Sequence, residues 1–500
     1  MTRDAGRLAA ARHAEPVDAT ELQQRGTRQI LLARCLFFGV GYVITAIVAR
    51  RLGAAGYGVY GVVVSQLIWL EILANAGVPA ATATLLAEPG ADKDSIDSSA
   101  QLLLLIVSAG LVGMCWSMAP FVAAVMHIPH GDTFWRIAVM DLPFAGVYAA
   151  YEGSFLGRRR FAINAFAIVI YSATKMCGIA VLLAIGFTVA RVLVVSVAST
   201  AILAGVLLWR FPVKWRPRAQ TMRRLASLSA PIAVYLVLGQ ILLNLDLWSL
   251  QAFGSAASIV GQYVASGNLS RGLTVIPVVQ AGVLLASVSW AVAQGDADRA
   301  REHIQESSRF VVIIGACAII LLGIDARAVL SVLFSAPYAG GAPFLRFQLV
   351  GLVLFAIIDA FSHALQGAGK QRTAAVALAV TVPIAVFSNY VLIPRLGGVG
   401  AAISMVVGMS FGTLIMGVAA YRHFGRLVRL RMVVRVACAA ALVGVLSAMI
   451  PTPGFLVLIK LPCMGAIYLL LLYLAGEVTP ADFSILSGGR RPPELAASQE

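Results

Sequence analysis

Charge is what this sequence has least of. Only 12% of its 500 residues are Asp, Glu, Lys or Arg, whereas 60% are hydrophobic. A soluble domain of this length does not carry so little charge with so much apolar surface. A disulfide frame and a zinc site are missing as well. The six cysteines (Cys35, Cys115, Cys177, Cys317, Cys438 and Cys463) all lie in apolar runs, and no two form a CxxC pair. A nucleotide loop is missing. In "QGAGKQR" the first glycine position of a P-loop is Ala364, and Gln371 replaces Ser or Thr. No cofactor, metal or catalytic residue is therefore expected. Residues 1–27 are polar and have no apolar core, which predicts a cytoplasmic tail and not a cleaved signal peptide.

What is present is a succession of apolar runs of 18 residues or more, each able to cross ~30 Å of hydrocarbon. The expectation is an all-α polytopic membrane protein with about fourteen transmembrane helices. They are read at 29–52, 58–87, 100–126, 134–157, 161–186, 190–210, 226–253, 258–292, 309–333, 343–366, 373–395, 398–421, 432–450 and 454–475. Orientation follows from the cations, because cytoplasmic loops collect Lys and Arg. With both termini cytoplasmic, 27 of the 38 Lys and Arg lie in inside segments and 7 in outside ones. The same bias accounts for the net charge of +15, so no nucleic-acid partner is implied. Every outside loop is short. A membrane polysaccharide polymerase or glycosyltransferase, the reading from another functional class, generally presents a sizeable extracytoplasmic loop with catalytic side chains.

An internal repeat organises the spans. "LGAAGYGVY" (52–60) has an echo in "FGSAASIVGQY" (253–263), pairing Gly53 with Gly254 and Tyr60 with Tyr263. Further along, Gly157 pairs with Gly367 and Gly186 with Gly397. The period covers six spans, an even number, so the halves are parallel repeats. The expected division is a tail (1–27), an N-lobe of helices 1–6 (28–215) and a C-lobe of helices 7–12 (216–424). Two appended helices (425–476) and a cytoplasmic tail (477–500) follow.

The ordered motifs resemble the polysaccharide-transport branch, the Wzx-type flippases, of the multidrug/oligosaccharidyl-lipid/polysaccharide exporter superfamily. They are "ARRLGAAGYGVYG" (49–61), "LGRRRF" (156–161), "SAPI" (229–232), "VGQYVASGNL" (260–269), "VLSVLFSAPYAGGAPFL" (329–345), "LQGAGK" (365–370) and "NYVLIPRLGGVGAA" (389–402). The resemblance implies a two-lobed fold in the bacterial inner membrane. It implies transfer of a polyprenyl-pyrophosphate-linked oligosaccharide to the outer leaflet, alongside a polysaccharide polymerase and glycosyltransferases. The rival within the same superfamily is a cation-coupled drug antiporter.

Charges inside the spans need a cavity or a partner, since each costs at least ~2.5–3.5 kcal/mol in hydrocarbon. Spacing places Asp141, Tyr148 and Glu152 on one helix face, and Asn164, Tyr171 and Lys175 on another. Counting from the turn at Arg158, Asp141 and Lys175 fall at equal depth and are expected to face each other, as a cavity element or as a structural pair. Arg34, Lys175 and Arg271, with Asn268 one turn before it, are the candidates to meet pyrophosphate, which a guanidinium grips with two parallel donors; the alternative for Arg34, one turn in from the cytoplasmic edge, is to snorkel to lipid headgroups. Glu71, Asp141, Glu152, Asp246, Asp359 and His363 are candidates for a coupling ion or for structural pairing. Arg271 is placed too far round its hairpin to share the depth of Asp246. Lys460, in an appended helix outside both lobes, is expected to have a peripheral role. Arg50 and Arg51, outside and against the charge bias, are outer-gate candidates.

Overall fold

The computed structural model describes the backbone of residues 16–452 and 454–479, and the side chains of 36–272, 282–452 and 454–479. Within these bounds the protein is all-helical. The chain runs through α1 (Pro16–Asn75), α2 (Val78–Ala87), α3 (Lys93–Val125), α4 (Gly131–Val139), α5 (Asp141–Gly157), α6 (Phe161–Ile185), α7 (Val189–Arg210) and α8 (Ala219–Ala252). It continues through α9 (Ala257–Ser270), α10 (Val275–Ala293), α11 (Ala297–Ile324), α12 (Ala326–Phe334), α13 (Ala342–Gly367), α14 (Gln371–Phe424), α15 (Leu430–Met449) and α16 (Val457–Leu474).

Among the described residues, ten helical stretches are long and apolar enough to cross a membrane. Two of them, those containing Gly53 and Gly397, are each two helices joined at a kink. With the interrupted spans α4–α5 and α9–α10, the fourteen expected helices are all accounted for. The surface is that of a membrane protein. Phe121, Phe166, Val283, Phe387 and Leu414 point outward, while Asp141, Asp246 and Lys460 are buried. Apolar side chains lose nothing by facing lipid, whereas charges must find partners inside.

The contacts divide the chain into two compact units, 1–240 and 241–500. In the first, α1 packs on α6, α2 on α5, and α5 on α3 and α7. In the second, α13 is central, packed against α10, α11 and α14, and α15 and α16 pack on α11. Glycines paired by the repeat share their backbone state. Gly53 and Gly254 have φ of +67° and +73°, and Gly186 and Gly397 have φ of +90° and +56°. A side chain at these angles is strained, so glycine permits the reversal at each.

Four spans are interrupted, a detail that the hydropathy pattern misses. The second arm of α1 stops at Asn75, and α2 starts after Gly77 (φ +80°). The fourth span breaks at Met140, so that Asp141 opens α5. The eighth passes through a 3-10 turn at Arg271–Thr274. The ninth breaks at Asp325, between α11 and α12. Each break carries or adjoins a polar residue of the span. Interrupted helices free backbone groups, and polar side chains accumulate where such groups need partners.

Candidate functional site

Two of the polar clusters among the described residues of the spans, one in each unit, gather several of the candidate residues. The first joins α1, α5, α6 and α7. Asp141, only 5% exposed, lies against Glu71 and Thr200, within electrostatic range of Lys175. At the first residue of α5, its carboxylate also meets the positive end of that helix dipole. The Lys175 ammonium donates to the Tyr171 hydroxyl at 3.0 Å and lies 5.3 Å from the centre of that ring. A cavity of about 130 Å³ opens beside it, lined by Phe37, Gly41, Thr45, Tyr60, Tyr171 and Lys175, among others. The cluster thus sets two carboxyl groups and one lysine beside a small aromatic cavity. Tyr148, on the Asp141 face, donates to Asn164 at 3.4 Å. Glu152 is half-buried one turn further along α5.

The second cluster joins α8, α9 and α13. The Tyr263 hydroxyl donates to Asp246 Oδ2, and Gln348 Nε2 donates to the Tyr263 carbonyl at 3.3 Å. Arg271 donates to Asn244 Oδ1 at 2.6 Å and to the Leu243 carbonyl at 3.2 Å, and its charge acts on Asp246. The sequence-based separation of Arg271 from Asp246 is therefore corrected. Residue counting compares Cα depths, but side chains lean toward the N-terminus of their own helix. For Arg271 that direction is back toward the hairpin, and for Asn244 it is away from it, so the two meet. Asn268 lies half-buried on α9, one turn before Arg271.

The remaining candidates stand apart from these clusters. His363 Nδ1 lies 2.8 Å from the Asp359 carbonyl and 3.3 Å from Asp359 Oδ2. Arg50 and Arg51 are exposed just before the Gly53 kink. Arg34 lies outside the described side chains. Lys460 has a full set of partners within the second unit. It is buried and bonded to Asp325 and to the carbonyls of Ser447 and Ile450. Charge patterning alone did not single out Tyr263, Gln348 or Asp325. Tyr263 stood in the repeat motif, and the demand of Lys460 for an anion was the available signal for Asp325.

Comparison with known proteins places this geometry. Residues 24–291 match the family described as "Polysaccharide biosynthesis protein". Stage V sporulation protein B of Bacillus subtilis (strain 168) is 22% identical over 438 residues, which is 78% of this chain and 82% of that protein. Among solved structures, the lipid II flippase MurJ in an inward closed conformation aligns with a TM-score of 0.74. It is 12% identical, and the alignment covers 89% of this chain and 98% of MurJ. An inward-facing multidrug resistance MATE family transporter of the MOP superfamily aligns with a TM-score of 0.66. It is 15% identical, with 78% of this chain and 94% of that one covered. These likenesses establish a shared fold, and the match across more than half of the sequence establishes the family: the chain belongs to the polysaccharide biosynthesis protein family.

Proposed function

We propose that the protein is a flippase moving polyprenyl-pyrophosphate-linked oligosaccharide from the inner to the outer leaflet during cell-surface polysaccharide biosynthesis. The observation that carries this reading is the family match over residues 24–291, in a chain whose fold is also that of a lipid II flippase. The task needs no chemical step. The prenyl tail prefers lipid, whereas a charged, hydroxylated headgroup pays heavily to enter hydrocarbon. Two lobes that rock about a polar cavity let the headgroup cross while the tail stays in lipid. The lobes are the repeats 28–215 and 216–424, and the paired glycine conformations support their equivalence.

In this reading Lys175, Arg271 and Asn268, with Arg34, meet the pyrophosphate. Glu71 and Asp141 beside Lys175 form a site whose charge changes when one proton or Na⁺ is exchanged. Asp246, Glu152, Asp359 and His363 are the further candidates for coupling or pairing, and Arg50 and Arg51 act at the outer rim. Both termini face the cytoplasm of a bacterial cell. A polysaccharide polymerase and glycosyltransferases are the partners expected to share the cargo.

The test is headgroup translocation in proteoliposomes loaded with a polyprenyl-diphosphate oligosaccharide. Wild-type protein is expected to expose the sugar to an external lectin. If it leaves that lipid inside and instead exchanges cationic drugs for protons, the antiporter reading replaces this one.

A further inference from the structure

The first unit holds a second charged cavity, which shares no lining residue with the one beside Lys175. It lies where the start of α3, the α5–α6 turn and the segment after α7 converge. Its volume is about 290 Å³, and an adjoining cavity of about 460 Å³ shares Asp94, Arg158 and Arg160 with it. Lys93, Arg158, Arg160, Arg210 and Lys214 line the two, against Asp94 and Asp97.

The two acids are already engaged. Asp97 holds Arg158, which also donates to Ser154 Oγ at 2.7 Å. Asp94 lies 3.6 Å from Lys214. Among the described residues, Lys93, Arg160 and Arg210 have no carboxylate partner, so the cavity keeps an excess of positive charge. Arg160 and Arg210 are exposed, and Arg210 rests 5.6 Å from the centre of the Phe211 ring, a contact that leaves its N–H donors open to a ligand.

The walls are built rather than incidental. The Tyr151 hydroxyl donates to the Phe211 carbonyl at 2.6 Å. The backbone N–H groups of Arg216 and Arg218 donate to Ser98 and Ser99 at 3.1 and 3.0 Å. Arg218 and Asp92 pair at 3.0 Å. The segment 211–218 is thereby strapped along the start of α3, with Lys214 presented to the cavity. Guanidinium groups with open donor forks match tetrahedral phosphate oxygens. The cations stand at the end of the spans that the Lys and Arg count assigns to the cytoplasm, where anionic lipid headgroups give the leaflet a negative surface potential.

We propose that this cavity is an anion site that takes a phosphate or diphosphate group, presented by a membrane lipid or as a soluble ion. In identifying the lipid with the polyprenyl diphosphate carrier, the inference rests on the flippase reading; the anion site does not. There the cavity receives the headgroup phosphate at the leaflet where the cargo is made. Phe211 and Lys214, which line the cavity, belong to the strapped segment that leads into α8.

The experiment uses full-length protein in phosphatidylcholine nanodiscs and radiolabelled inorganic pyrophosphate in equilibrium dialysis. Wild-type protein is expected to retain the label. The double variant Arg160→Gln/Arg210→Gln should weaken retention at least about fivefold, a modest figure suited to exposed charges. Asp94→Asn removes a repelling carboxylate and releases Lys214, so it should tighten binding. Arg422→Gln/Arg431→Gln, exposed cations of the second unit, should leave it unchanged. Displacement of the label by added polyprenyl diphosphate, or by phosphatidylglycerol in the disc, identifies which lipid presents the phosphate. The proposal is overturned if wild type retains no more label than the double variant, if Asp94→Asn weakens binding, or if the second-unit pair matters equally. Failure here with normal headgroup translocation leaves the flippase reading standing. Variant-sensitive binding without translocation of any lipid-linked sugar overturns that reading and keeps the site.

Discussion

Lys460 Nζ meets both carboxylate oxygens of Asp325, at 2.9 and 2.8 Å, with only 4% and 13% of the two side chains exposed. The same ammonium donates to the carbonyls of Ser447 and Ile450, both at 2.8 Å. Four acceptor contacts from one cation tie α16 to the end of α15 and to the α11–α12 junction. A charge in a membrane helix is tolerated when its partners are this complete.

Removing one member strands the other. Lys460→Met should lower stability by about 3–5 kcal/mol, the scale for an uncompensated buried charge. Adding Asp325→Asn to Lys460→Met should recover at least half of that loss, because no net charge is then left buried. Thermal unfolding of the detergent-solubilised variants checks both. If the double variant is as unstable as the single one, the carbonyl contacts and not the ion pair hold the junction.

Gly157 and Gly367 close the corresponding spans of the two repeats, and both are pressed against a neighbouring helix. A Cβ on Gly157 would lie 2.9 Å from Ala83 Cα, and one on Gly367 would lie 2.9 Å from the Leu285 carbonyl oxygen. Backbone atoms cannot yield as a flexible side chain can. Alanine at either position should cost about 1–3 kcal/mol through overpacking. Gly205→Ala is the control. Gly205 sits inside α7 with nothing within 4 Å of the added carbon, and alanine there should be neutral or slightly stabilising. Thermal melts of the three variants measure the contrast.

The spans were legible because hydrocarbon imposes a length of about 20 apolar residues on each crossing. The repeat was legible because its paired glycines are needed for backbone reasons, as at Gly53 and Gly254. The interruptions were not. A membrane helix breaks where neighbours satisfy the freed backbone groups, and that depends on tertiary partners absent from a local pattern. Asp141 opens a helix instead of sitting inside one, and Arg271 lies on a 3-10 turn. Depth arithmetic brought Asp141 and Lys175 into one cluster, but it also separated Arg271 from Asp246, because it ignored the lean of side chains along a helix. The cavity beside Arg160 and Arg210 was invisible for another reason. Its cations looked like ordinary topology signals until three loops at one end were seen to converge.

Tyr263 supplies the hydroxyl that Asp246 accepts in an enclosed site of the second unit. Tyr263→Phe takes the hydroxyl donor from that buried carboxylate and should cost about 1–3 kcal/mol. Asp246→Asn keeps a hydrogen-bonding side chain and should cost less. If Asp246 only anchors Tyr263, Asp246→Asn will translocate cargo at the wild-type rate. If it carries a coupling ion, translocation will fall at least about tenfold while the melting temperature hardly moves. Paired melting and proteoliposome measurements on the same preparations separate the two.

Lys175 poses the same question in the first unit, and charge balance supplies the means to answer it. Glu71 and Asp141 hydrogen-bond to each other, which needs one proton on Glu71, so the lysine offsets the single charge of Asp141; Lys175→Gln alone leaves that charge uncompensated and should destabilise the protein by about 3 kcal/mol. Lys175→Gln with Asp141→Asn removes one charge of each sign and should restore most of the stability. A structural lysine predicts that this double variant also recovers headgroup translocation. A lysine that grips pyrophosphate predicts that it does not, because the cation is gone although the fold is intact. Tyr171→Phe refines the result, since it removes the hydroxyl that holds the ammonium at 3.0 Å but keeps the ring beneath it. It should slow translocation by about three- to fivefold, the cost of one hydrogen bond of about 1 kcal/mol or slightly less. A stable double variant with wild-type translocation would remove Lys175 from the cargo site.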